Sequence, residues 1–208
     1  MNSLYKYLLL IPFLILGCRN NEIEEQYLGQ IINTMNMNIF SNEGIKLLSI
    51  ESPISNYDKV SNIFNLNETT INLYKENKPE YIINSDRSTL SNNNKLIELN
   101  GNVMVKTLIE QDDKLYADSF IWNIENSEYL LVGNVKFENG LVTLNSNRAI
   151  LNKSNNIIKF FNPVKYKIKE KNETSRYEIK SENAYYNINT KSLNFISKEK
   201  RVRSKLYF

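Results

Sequence analysis

Between Ser88 and Ser197, apolar side chains recur at alternate positions in short bursts, and the bursts themselves repeat. Four segments align without gaps: Ser88–Gly101, Phe120–Gly133, Ala149–Asn162 and Ala184–Ser197. Each carries a polar marker (Ser91, Asn123, Asn152 or Asn187) ten positions before its closing small or polar residue, and successive markers stand 32, 29 and 35 residues apart. Just before the marker stand Leu90, Trp122, Leu151 and Tyr186. After it come Ile97 with Leu99, Tyr129 with Leu131, Ile158 with Phe160, and Leu193 with Phe195. The residues between those pairs, Glu98, Leu130, Lys159 and Asn194, are mostly polar. This period of two predicts strands with one buried face and excludes an amphipathic helix.

The same parity continues past the closing residue, through Val103 and Val105, Val135 and Phe137, and Val164, Tyr166 and Ile168. Each unit therefore reads as a strand, a polar corner and a second strand bent at a small residue, a place that suits Gly or Asn. Turn signals separate the units at Asn77-Lys78-Pro79, Asp112-Asp113, Asn139-Gly140 and Lys171-Asn172-Glu173. Asn139-Gly140 is the strongest hairpin signal among them. Upstream, Ile39–Leu73 is less regular, with apolar positions around Ile45, Leu47, Ile63, Leu66 and Ile71, and reads as one more degenerate unit. The whole predicts an all-β, solenoid-like, folded-over sheet with two open edges.

The N-terminus is an address. Lys6 precedes the apolar run Leu8–Leu16, broken only by Pro12, and then Gly17 and Cys18. The stretch Tyr7–Gly17 is 11 residues, too short for the roughly 20 that cross a bilayer as a helix, so residues 1–17 read as a cleaved signal peptide. Ile15–Cys18 resembles a lipobox, which makes Cys18 the lipidation site. Residues 18–35 read as the lipidated end and tether, 36–197 as the β-domain, and 198–208 as a basic tail or edge strand.

Composition changes the picture by exclusion. The net charge of +3, falling to +2 without residues 1–17, does not suit a nucleic-acid binder. The chain has no His and one Cys, which removes the commonest general base, the commonest metal ligand and any disulfide within the chain. No metal site, cofactor or catalytic group is expected. Asp112-Asp113 reads as a turn, and the basic run Lys198–Lys205 as a charged edge or solvated tail.

Several phrases resemble the LptC family: Ile71–Lys75, Lys78–Ile83, Leu96–Val103, Leu115–Asp118 and Leu131–Val135. Their order and spacing carry the resemblance across about residues 36–197. It implies a folded-over antiparallel β-jellyroll, or β-taco, of repeated strand pairs that transports lipopolysaccharide without being an enzyme. Its interior would receive the acyl chains of lipid A, and the groove candidates are Leu99, Val103, Val105, Phe120, Trp122, Leu131, Val135, Phe137, Phe160, Val164 and Tyr166. Implied partners are the transporter subunits LptF and LptG at one edge and an LptA-like bridge protein at the other, each joined by strand addition. The implied place is the periplasmic face of the inner membrane, reached here through Cys18 where many family members keep a transmembrane helix. Two alternatives stand beside this reading. One is an LptA-like bridge. The other is a structural or polysaccharide-binding envelope lipoprotein, which should carry its aromatics on the outward parity.

Overall fold

Twelve strands form one antiparallel sheet in the computed structural model, which describes residues 29–206 apart from 92, 109–112, 127, 141, 153 and 170–174. In chain order they are β1 (Gln30–Phe40), β2 (Lys46–Asp58), β3 (Ile63–Lys75), β4 (Lys78–Ser91), β5 (Leu96–Thr107) and β6 (Lys114–Asn123). Then follow β7 (Glu128–Asn139), β8 (Val142–Asn152), β9 (Ile157–Lys169), β10 (Ser175–Asn187), β11 (Leu193–Ile196) and β12 (Arg203–Leu206). Each strand from β1 to β10 pairs with the next, while β12 pairs with Tyr177–Lys180 of β10 and β11 with Asn183–Tyr186 of the same strand. Among the described residues, the free edges are therefore β1 at one end and β11 with β12 at the other.

The register joins the residues that the sequence alignment set side by side. Leu90 faces Ile97, Trp122 faces Tyr129, Leu151 faces Ile158 and Tyr186 faces Leu193 across the ladders. One turn inward, Ser88 faces Leu99, Phe120 faces Leu131, Ala149 faces Phe160 and Ala184 faces Phe195.

A line of bends crosses the sheet and divides every long strand into two arms. In β5 and β7 the bend is Gly101-Asn102 and Gly133-Asn134, all four with left-handed backbone (φ +80° and 45°, +78° and 45°). Asp86 and Asp118 sit opposite, and each accepts a hydrogen bond from the bend's Asn Nδ2, at 2.8 Å from Asn102 and 2.9 Å from Asn134. A β-carbon placed on Gly101 or Gly133 would lie 2.6 or 2.3 Å from the Asp oxygen, so glycine is required there for close approach as well as for backbone sign. On neighbouring strands, Ser52, Ser146 and Ser181 staple the bend by donating to the carbonyl two residues on, of Ile54, Arg148 and Asn183. These bonds satisfy carbonyls that the interrupted ladder leaves open.

Past the bends the arms fold toward each other. The upper arm holds the turns at 59–62, 93–95, 124–126, 154–156 and 188–192; the lower arm holds those at 41–45 and 76–77, together with residues 108, 113 and 140. Phe137 of the lower arm lies 4.8 Å from Tyr186 and 6.3 Å from Phe160 of the upper arm, and lower-arm Tyr166 lies 5.3 Å from Phe195. One apolar core runs between the arms from Met35 to Tyr186.

Several local expectations are corrected. The sheet takes up the chain at Gln30, inside the segment read as tether. A left-handed residue at Thr34 (φ 56°) switches the inward parity from Ile32 to Met35, Met37 and Ile39, which hides the alternation. In β2 the buried apolar residues are Leu48 and Ile50, which face Leu73 and Ile71, while Ile45 and Leu47 are exposed. The turn before β4 is Glu76-Asn77, both left-handed, with Lys78 already in the strand. Asn139 pairs with Val142, so that hairpin turns one residue later than Asn139-Gly140 suggested. The turn signal at Lys171-Asn172-Glu173 lies outside the described residues. The basic C-terminal run is an edge: the backbone N–H groups of Lys198, Glu199 and Lys200 all donate to the Glu182 carboxylate, and this turns the chain into β12.

Candidate functional site

Among the described residues, all eleven groove candidates belong to the apolar space between the arms. Leu99, Val103, Leu131, Val135 and Phe160 are wholly buried, and Phe120, Trp122, Phe137 and Val164 nearly so. Val105 and Tyr166 are half-buried and pack against this core. Their inward parity is thus as expected, but the space near the bends is filled by side chains. Cys18 lies outside the described residues.

Near the tips the arms part. Two clefts of about 270 and 250 Å³ open there and share Glu80, Tyr81, Val105, Leu151 and Ile188 as walls. The first also reaches Phe137, Ile158 and Tyr186, and the second Leu73, Phe120 and Tyr129. Of the eleven candidates, only Val105, Phe120 and Phe137 line them. The shared walls make the two clefts adjoining parts of one opening at the tips, while the interior nearer the bends is filled by side chains.

Electrostatically the cleft has an apolar floor and a charged rim. Burial holds the Tyr129 phenol up at about 12, helped by the nearby Tyr81 and Glu80; burial raises Tyr186 to about 12 as well, with the Asp113 carboxylate adding to the effect. Tyr81 is raised for the same first reason, burial, and then by Glu80 and Asp113. These walls are neutral phenols at any physiological pH. At the rim, Lys191 of the upper arm meets Asp113 of the lower arm at 3.3 Å, and Asp113 also accepts from Asn139. The Asp112-Asp113 pair was read only as a turn, and no sequence signal marks an ion pair between groups 78 residues apart on opposite arms. The Asp86–Asn102 and Asp118–Asn134 contacts were missed as contacts, although both have the same 16-residue spacing.

A family model described as lipopolysaccharide-assembly, LptC-related, matches residues 17–129. The chain belongs to the LptC family. Its match includes Leu115–Asp118, whose terminal Asp closes on Gly133-Asn134, so the phrase marks one side of the bend that defines the fold. Among solved structures, the chain is similar to LptH of Pseudomonas aeruginosa, the LptA-homologous periplasmic component of the lipopolysaccharide transport device. That similarity has a TM-score of 0.43 and 9% identity, covering 51% of this chain and 76% of that one. No curated protein matches this chain in sequence. Family membership makes it a component of lipopolysaccharide assembly in the cell envelope.

Proposed function

We propose that this LptC-family protein conducts lipopolysaccharide through the space between its arms, without catalysis, at the periplasmic face of the inner membrane. The observation that carries the reading is a single folded sheet whose inward face, from Leu99 to Tyr186, carries one apolar cluster that ends in an open-tipped cleft. Acyl chains that enter exchange one apolar surrounding for another, and the inward side chains stay shielded from water in both states, so the roughly 25 cal/mol per Å² of apolar burial largely cancels for both. Neighbouring domains of like depth would then hand the lipid along with small free-energy steps. Cys18 supplies the membrane attachment. The β1 edge and the β11/β12 edge supply main-chain groups for strand addition to LptF and LptG and to an LptA-like bridge.

The rival envelope-lipoprotein reading needs its large aromatics outside. Phe120, Trp122, Phe137 and Phe160 are all at most 5% exposed, which argues against it. The test uses Trp122, the single tryptophan of the chain and 5% exposed within the candidate groove. Titration with lipopolysaccharide should give a saturable change in its emission. An unchanged spectrum, together with no lipid retained on the protein after gel filtration, would remove the groove reading.

A further inference from the structure

Asp113 and Lys191 sit at the mouth of the cleft, one on each arm. Asp113 precedes β6 on the lower arm, with its side chain 14% exposed, and Lys191 stands in the turn between β10 and β11 on the upper arm, 40% exposed. The lysine is posed by three things: a left-handed backbone (φ 57°), the Asp113 carboxylate at 3.3 Å, and the Tyr186 ring at 6.0 Å. Beneath it lie Leu115, Phe137, Ile158 and Tyr186. Any chain that parts the arms must break this ion pair, because its two members ride on different arms. The carboxylates Glu80 and Asp113, with Lys114 beside them, stay on the lower rim, and Lys191 is left on the upper rim.

We propose that the Asp113–Lys191 pair is an exchangeable latch, in which Lys191 gives up the Asp113 carboxylate for the phosphate of an amphiphile whose acyl chains enter between the arms. The inference rests on the groove reading above and adds to it the head-group chemistry and the residue that reads it. A phosphate offers more charge and more acceptor oxygens than the carboxylate it replaces. A partly exposed ion pair is weak enough to be exchanged readily. The arrangement therefore ties opening to occupancy: acyl chains alone leave Lys191 unpaired, and acyl chains with a phosphate do not.

The test uses the full-length chain in dodecyl maltoside micelles, which carry no phosphate, with Trp122 emission as readout. The probes are diphosphoryl lipid A, the same lipid with its phosphates removed, and inorganic phosphate. Wild type should bind the phosphorylated lipid up to about five-fold more tightly than the dephosphorylated one, the size expected of an exposed pair, and should not respond to inorganic phosphate. Lys191→Met should bind both lipids equally, and Lys191→Arg should keep the preference. Asp113→Asn should bind both lipids up to about five-fold more tightly, because the latch is gone while the cation remains. A phosphate preference that survives in Lys191→Met, an unchanged affinity in Asp113→Asn, or competition by inorganic phosphate would each overturn the latch while leaving the groove standing. Failure of wild type to bind either lipid would overturn the groove reading and the latch with it.

Discussion

Replacing Gly133 by alanine tests whether the line of bends holds the fold as described. Two separate penalties follow from the geometry. Gly133 has φ +78°, and an L-residue held left-handed there costs about 1 kcal/mol. The new methyl would also lie 2.3 Å from Asp118 Oδ2 and 2.9 Å from its Cβ and Cγ, so the aspartate must move and release Asn134. At this exposed site that bond is worth about 1 kcal/mol. The substitution should therefore destabilise by about 2 kcal/mol, which lowers a urea midpoint by about 1 M. Gly140→Ala is the control: φ is +54° and nothing lies within 4 Å of the added carbon, so only the backbone penalty of about 1 kcal/mol applies. In an Asp118→Gly background the whole side chain is gone, Cβ included, and Gly133→Ala should fall to the same value as the control. Urea unfolding followed by Trp122 emission measures all four proteins. If Gly133→Ala costs no more than Gly140→Ala, or costs as much with Asp118 removed as with it present, the close-approach argument is refuted.

Three further predictions follow from the same observations. Cys18→Ser should abolish lipidation and move the protein from the membrane to the soluble envelope fraction on cell fractionation; continued membrane recovery without other chain changes would refute the anchor. Tyr129 and Tyr186 ionise near 12 in the folded protein and near 10 when unfolded, so the stability they contribute is complete below pH 10 and is lost as pH rises toward 12. The phenolate absorbance that Tyr129→Phe and Tyr186→Phe remove relative to wild type should rise together with unfolding in that window, and a difference signal that titrates near pH 10 in a still-folded protein would contradict the burial. The Glu182 carboxylate is held below its usual range first by the Lys198 backbone N–H and further by those of Lys200 and Glu199. Its contribution is present above the ordinary value of 4.5 and disappears as pH falls through the lowered one, so amides 198–200 should lose hydrogen-exchange protection on acidification and in Glu182→Gln.

How much was legible in the sequence depends on whether a rule of period two was left undisturbed. From Ser88 to Ser197 it was, and the aligned apolar pairs Trp122 with Tyr129 and Leu151 with Ile158 are ladder partners in the fold. The bends were legible as small residues because only such residues tolerate both the left-handed backbone and an aspartate at their α-carbon. In β1 and β2 the rule was disturbed. Thr34 reverses parity within one strand, and adjacent Leu47 and Leu48 leave two registers equally apolar until the pairing of Leu48 with Leu73 selects one. The ion pair at the cleft mouth depends on how the arms close, and no local pattern encodes that. Nor could parity tell a filled interior from an open one, since the same inward row of Val103, Val135 and Phe160 serves both.

The central claim, that lipopolysaccharide passes between the arms, is met most directly by photocrosslinking in cells. A photoreactive amino acid would replace Phe137, buried against Tyr186, or Lys136, one residue away on the exposed outer face. Lipopolysaccharide adducts should form from position 137 and not from 136. Adducts from both, or from 136 alone, or none from 137 in a stably expressed protein, would contradict the account.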